Sequence, residues 1–271
     1  MDKNFLNEFG VDDTFRAFTV SLCRMIIEDP RLLLELSDIS GISGYKDLFE
    51  QLQNENELKH FSKTVYEDSK NYNWSFIEEI YRSWGKYGWI TDYTIVPFSF
   101  WNSNPESQVD ADKLVLQFFD KKSFIDLKDE LAEITNNKQI YKEAIISFNN
   151  KCYAACASLL IALIDGELIR CKSSLLNGNK KTGLKAGERL MVNLSDIEAY
   201  RLPGLFHLEL INYDSYISTL FESGNGFENE PRCLNRNYFH HGMSKRKVLR
   251  KDCIKLLIAY RQTIKFQKLL K

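Results

Sequence analysis

The segment RNYFHHG (236–242) brings together side chains that bind phosphate and transfer protons. Arg236 offers a permanently charged guanidinium fork that suits bidentate contact with a phosphate. Asn237 offers an amide that can orient a neighbouring side chain, and His241 offers an imidazole that titrates near neutral pH. Gly242 lets the backbone approach closely or turn into a following helix. The segment is therefore a candidate site for acid–base chemistry at a phosphate.

The spacing within this segment restricts which side chains meet. On an ideal α-helix, residues five apart lie about 140° apart, so Arg236 and His241 would not share a face. The two converge if the segment is a loop or a distorted turn that leads into the last helix. Pro231 before the segment and Gly242 within it permit such a turn. His240 is a possible supporting residue of the same site.

The pattern Arg-Asn-x-x-x-His resembles the Arg-x(4–6)-His motif of the HEPN superfamily of helical domains. Arg236 takes the arginine position, Asn237 the polar position after it, and His241 the histidine position, whereas His240 falls one residue short of the minimum spacing. The long apolar helix that ends in SLLIALIDG is similar to the helix that precedes the motif in some HEPN proteins. The resemblance covers roughly residues 138–271.

The resemblance implies a metal-independent endoribonuclease without a cofactor, of the toxin or abortive-infection type found in antiviral defence. His241 would act as the base, Arg236 would stabilise the charge of the phosphorane, and Asn237 would hold the local geometry. A single histidine does not easily perform both proton transfers, so the resemblance implies a homodimer in which both motifs line one cleft.

Two further residues bear on this interpretation. Asp165, at the end of the apolar helix, is a possible supporting residue that faces the cleft and orients a guanidinium. Met243 stands where some HEPN toxins carry a tyrosine that serves in neutralisation by a nucleotidyltransferase partner. The sequence therefore gives no support to that route of neutralisation.

The charge of the chain is unevenly distributed. From residue 232 to residue 271 there are twelve Lys or Arg and one acid, a net charge of +11, while residues 1–231 carry −12. Such a basic segment indicates an anionic partner such as RNA, or an acidic surface of the same or a second chain. The residues predicted to contact RNA are Arg232, Lys245, Arg246, Lys247 and Arg250.

Helical spacing of apolar residues predicts an all-α protein. An N-terminal helical region of unknown role (1–134) precedes a HEPN-like bundle of four or five helices (135–271). One apolar stripe predicts a single core helix over 138–165, and another predicts a last helix over roughly 243–270. These two helices and the segment between them would position the motif.

Several other classes of protein are not favoured. The loop GNKKTGLKAG lacks the Gly-Lys-Ser/Thr ending of a phosphate-binding P-loop, and the pair His240-His241 has no cysteine or carboxylate at a familiar metal-ligand spacing. The longest apolar run, AACASLLIALI, is shorter than the ~20 residues of a membrane helix. Six scattered cysteines without a Cys-x-x-Cys pair and the lack of an apolar leader predict a cytoplasmic protein.

Two alternatives to catalysis are open. In the first, the domain binds RNA or a nucleotide, and the motif residues only build the fold. In the second, the basic segment docks on an acidic protein partner. A regulatory protein partner is a separate possibility. A steep dependence of affinity on salt without cleavage indicates the first, and no affinity for nucleic acid indicates the second.

Overall fold

The computed structural model describes residues 50–51, 53–54, 75–92, 94–96, 98–101, 103–170, 184–188 and 205–269. Nine α-helices are bounded within these residues and none of these residues forms a strand, which confirms the all-α prediction. Helices predicted before residue 50 lie outside the described residues. The helices are α1 (Ser75–Lys86), α2 (Phe98–Trp101), α3 (Gln108–Leu116), α4 (Lys121–Ile134), α5 (Lys138–Asn149), α6 (Tyr153–Arg170), α7 (Leu205–Phe221), α8 (Arg236–His240) and α9 (Arg250–Leu269).

The chain divides into two compact units. One comprises residues 1–77 and 197–208, and the other comprises residues 78–196 and 209–271. The predicted boundary after residue 134 does not coincide with this division, because helices on both sides of it, α4 and α5, contact each other within the second unit. The separate role predicted for residues 1–134 stays a prediction.

Helix α6 is central to the second unit. It packs against both α5 and α9, and α4 also contacts α9. Cys156, Leu160 and Ile164 recur every fourth residue along α6 and are completely buried. This spacing places them on one face, so the removal of that face from water stabilises the packing of α6.

The single core helix predicted over 138–165 is wrong, because the chain turns between α5 and α6. Lys151 has a left-handed backbone with φ 60°. Its N–H donates to the carbonyl of Phe148 at 3.0 Å, and the N–H of Cys152 donates to that of Ser147 at 2.8 Å. These bonds satisfy the last carbonyls of α5. The apolar stripe continues across the turn, so its periodicity does not reveal the break.

The last helix begins later than predicted, at Arg250 and not near residue 243. Gly242 has φ 68°, and the N–H groups of Met243 and Ser244 both donate to the carbonyl of Tyr238, which ends α8. Eight residues later the Asp252 carboxylate accepts a hydrogen bond from the N–H of Leu249 at 2.8 Å. An acid in the first turn that contacts the capping residue in this way marks the start of a helix.

The acidic and basic parts of the chain meet at Asp112 on α3. This buried carboxylate accepts hydrogen bonds or ion pairs from Lys251, from Lys255 at 2.6 Å and from the indole N–H of Trp89 at 3.0 Å. Burial alone would raise the pKa of Asp112, but Lys255 and Lys251 outweigh it and hold the pKa below its usual value. Burial lowers the pKa of Lys255, and Asp112 counteracts that effect.

Replacement of Asp112 by Asn should therefore destabilise the fold strongly. The substitution keeps the shape but leaves Lys255 buried without a counter-charge, which costs about 3–5 kcal/mol. Denaturant unfolding at pH 7 measures the loss. The matched control is Asp126→Asn on the exposed side of α4, which should change the free energy of unfolding by less than about 0.5 kcal/mol. Equal stability of the two variants would contradict the role of Asp112.

Candidate functional site

Asn235 joins the end of α7 to the start of α8. Its side-chain oxygen accepts hydrogen bonds from the N–H groups of Asn237 at 2.9 Å and Tyr238 at 3.1 Å, which caps α8. Its amide N–H donates to the carbonyls of Thr219 at 3.0 Å and Glu222 at 3.1 Å. Asn235 is buried, so its four hydrogen bonds fix the position of the candidate site relative to α7.

Asn237 strengthens the same junction and contacts the arginine. Its amide donates to the carbonyls of Phe221 at 3.2 Å and Glu222 at 2.8 Å. Its side-chain oxygen accepts a hydrogen bond from Nη1 of Arg236 at 3.0 Å. Asn237 therefore orients the neighbouring guanidinium, the type of role that the sequence predicted for this amide.

The motif is helical, whereas the sequence permitted a loop or distorted turn. Residues 236–240 form α8, and His241 is its C-cap with φ −87° and ψ 4°. Residues four apart on a helix lie about 40° apart, so Arg236 and His240 share a face of α8. His241 is exposed, and its ring meets the ring of Phe227 edge-on at 5.7 Å between centroids.

His240 contacts the central helix α6. Its Nε2 lies 3.3 Å from Oγ of Ser158. Burial lowers the pKa of His240, the neighbouring Arg236 and His241 lower it further, and the Asp165 carboxylate opposes them. The imidazole is therefore neutral at pH 7. Asp165 thus acts electrostatically on His240, and its predicted role in orienting a guanidinium stays a prediction.

Ser158 is a site residue that the sequence interpretation missed. Ser158 and Asp165 are seven residues apart, two helical turns, and so lie on one face of α6. Two polar residues at this spacing within the otherwise apolar run SLLIALID are a signal that sequence inspection can use. This spacing does not reveal which residue Ser158 contacts, because His240 lies 82 residues away along the chain.

The basic segment is partly neutralised by acids of the same chain. Among the residues that the structure describes, five of the twelve Lys and Arg side chains of this segment form ion pairs. This agrees with the option of an acidic surface within the same chain. The pairs are Arg246–Asp252, Lys251–Asp112, Lys255–Asp112, Arg261 with Asp92 and Glu130, and Lys265–Glu209.

The five residues predicted to contact RNA differ in their surroundings. Arg246 is one-fifth exposed and paired with Asp252 at 2.7 Å, so its charge is already engaged. Arg250 is exposed, and its guanidinium lies over the rings of Phe124 at 5.2 Å and Phe148 at 5.6 Å. The three that are exposed without such a ring contact or ion pair in the described part of the chain are Arg232, Lys245 and Lys247.

A cavity of about 810 Å³ lies between α4 and α9 and includes no residue of the RNYFHHG segment. Its lining includes both acidic and basic side chains. Among them, Arg261 forms ion pairs with Asp92 and Glu130. Burial lowers the pKa of Arg261 to about 10, so this side chain is charged at pH 7. Because none of its lining residues belongs to the RNYFHHG segment, the cavity is distinct from the candidate site.

Comparison with models of protein families, with curated proteins and with solved structures gives no match to this chain. The resemblance to the HEPN superfamily accordingly stays a prediction carried by the motif residues. None of the helices in the described ranges is long and apolar enough to cross a bilayer. No three His, Cys, Asp or Glu side chains among the described residues converge as ligands of one metal ion.

The junction between α7 and α8 gives a test of stability. Replacement of Asn235 by Ala removes the cap of α8 and leaves the carbonyl of Thr219 without its side-chain donor, which should cost about 2–3 kcal/mol. Thermal and denaturant unfolding measure the loss. Asn149→Ala at the exposed end of α5 is the matched control and should be nearly neutral. An Asn235→Ala protein as stable as this control would show that the junction does not hold α8.

Proposed function

We propose that the protein is a metal-independent endoribonuclease that cleaves RNA to a 2′,3′-cyclic phosphate and a 5′-hydroxyl. The observation that carries the proposal is the arrangement at α8. The half-buried guanidinium of Arg236 and the exposed imidazoles of His240 and His241 lie on α8 and its C-cap. Asn235 and Asn237 anchor this short helix to the end of α7. An anchored backbone with accessible side chains is what a site for acid–base chemistry requires.

The chemistry requires three kinds of group. A base takes the proton of the 2′-hydroxyl, a positive donor stabilises the crowded phosphorane, and an acid protonates the leaving 5′-oxygen. Arg236, held by Asn237, is suited to bind and stabilise the phosphorane, since its planar fork remains charged at any physiological pH. His241 is suited to proton transfer because its ring is exposed. Binding of the RNA strand falls to Arg232, Lys245 and Lys247.

The biological setting belongs to the same proposal. A HEPN-type nuclease acts as a toxin or in abortive infection, and a homodimer brings two motifs to one cleft. Such an enzyme requires restraint by a trigger or by a regulatory protein, since unrestrained RNA cleavage harms the cell that makes it.

A non-catalytic RNA-binding module is the second candidate. One observation favours it: the printed contacts of Arg236 and Asn237 are with each other and with carbonyls of α7, as expected of residues that build the fold. The scaffold alternative is weaker, because five of the basic side chains are already paired within the chain.

Replacement of His241 by Ala should lower the rate of RNA cleavage in EDTA by about 10²–10⁴-fold, since one proton-transfer group is lost. The melting temperature should match the wild type because the ring is exposed. The measurement is cleavage of mixed RNA with chemical mapping of the fragment ends. The wild-type protein is expected to produce RNA fragments with cyclic phosphate ends. Unchanged cleavage by the variant, or no cleavage by either protein, would contradict the proposal.

The salt dependence of RNA affinity should separate the basic residues into two groups. Lys245→Ala and Lys247→Ala should each reduce the slope of log K against log salt concentration by about 1, as for the loss of one phosphate contact. Lys121→Ala, an exposed lysine at the start of α4, is the control and should leave the slope unchanged. Arg246→Ala should mainly lower the melting temperature, since it deprives Asp252 of its partner. Equal slopes for all four variants would contradict this assignment.

A further inference from the structure

His240 has contacts that set it apart from an ordinary surface histidine. It shares a face of α8 with Arg236, and its Nε2 lies 3.3 Å from Oγ of Ser158 on α6. Asp165, two turns further along the same face of α6, acts on it electrostatically. His240 therefore contacts a second helix, whereas His241, at the end of α8, contacts Phe227, and both residues are exposed.

We propose that His240 is a second proton-transfer residue of the site, so that one chain supplies both the base and the acid for RNA cleavage. The inference rests on the proposed function and names a catalytic residue that the Arg-x(4–6)-His spacing does not include. In a homodimer, each chain would then carry its own base and its own acid. Ser158 and Asp165 are positioning residues, since they act through His240.

The contact with Ser158 bears on which nitrogen of His240 takes the proton, because either of its two atoms can be the donor, depending on the tautomer of the ring. When Nε2–H donates to the serine oxygen, Nδ1 keeps its lone pair and is free to accept a proton. The groups that face the ring are Arg236 and His241 on α8 and Asp165 on α6. Burial, Arg236 and His241 lower the pKa of His240, which keeps the ring neutral and suited to act as the base at pH 7.

The two histidines then divide the reaction. Nδ1 of His240 accepts the proton of the 2′-hydroxyl, and the 2′-oxygen forms a bond to phosphorus. The bond between phosphorus and the 5′-oxygen breaks, and protonated His241 gives its proton to that oxygen. His240 leaves the step protonated and His241 neutral, so protons and charge balance. Adjacent residues on a helix point about 100° apart, which allows two rings to approach one phosphate from different sides.

The first test compares His240→Gln and His241→Gln with the wild type. Glutamine keeps an amide that can bond to Ser158, so the fold should be preserved in both. Each variant should lose about 10²-fold or more of the cleavage rate in EDTA. If His240→Gln cleaves like the wild type while His241→Gln does not, the proposed nuclease stands and this inference fails. If the wild type itself does not cleave RNA, both proposals fail.

The second test mixes the two inactive variants in equal amounts. No chain in the mixture carries both histidines, so a site within one chain predicts that the mixture stays inactive at any protein concentration. Recovery of activity on mixing would show that the two histidines act across two chains, which overturns the inference.

The third test separates a positioning role from a merely structural one. Because Asp165 raises the pKa of His240, Asp165→Asn should move the acidic limb of the pH–rate profile to lower pH, and Asp165→Glu should restore it. Ser158→Ala should lower the cleavage rate, and Ser158→Thr should rescue it, since threonine keeps the hydroxyl. An unchanged profile in Asp165→Asn together with full activity of Ser158→Ala would contradict the positioning by α6.

Discussion

The candidate site depends on the hydrogen bonds that two asparagines make at the end of α7. Asn235 and Asn237 donate to the carbonyls that a helix end leaves without partners, and Asn235 also caps α8. A helix of five residues has little stability of its own. These bonds therefore determine where Arg236, His240 and His241 lie, and the short helix serves as a rigid support for three chemically active side chains.

The second constraint is electrostatic and acts within the chain. Asp112 of α3 forms ion pairs with Lys251 and Lys255 of α9, and these pairs connect the two helices. A buried pair of this kind is costly to break from one side, so it fixes the position of α9 relative to α3. The field that remains for an anionic ligand is smaller than the charge of +11 indicates, and it comes from the exposed residues near α8.

The fold was predictable from the sequence where local patterns determine it. The all-α class follows from the helical spacing of the apolar residues, and the last helix was predicted in place although it begins later, at Arg250. The break at Lys151 was not predictable, because the residues on either side belong to one continuous apolar stripe. At the site, the relation of Asn237 to Arg236 follows from adjacency. The contact of His240 with Ser158 joins residues 82 apart along the chain, which no local pattern encodes.

The central claim is that the RNYFHHG segment binds RNA. The most direct test of this claim is an NMR titration of the protein with RNA. The chain has four histidines, so labelled imidazole signals are few and can be assigned with His240→Gln and His241→Gln. The ligand is a short RNA with 2′-O-methyl groups, which cannot be cleaved. The account predicts that the signals of both His240 and His241 shift as RNA is added. Binding of RNA that leaves both signals unchanged would contradict it.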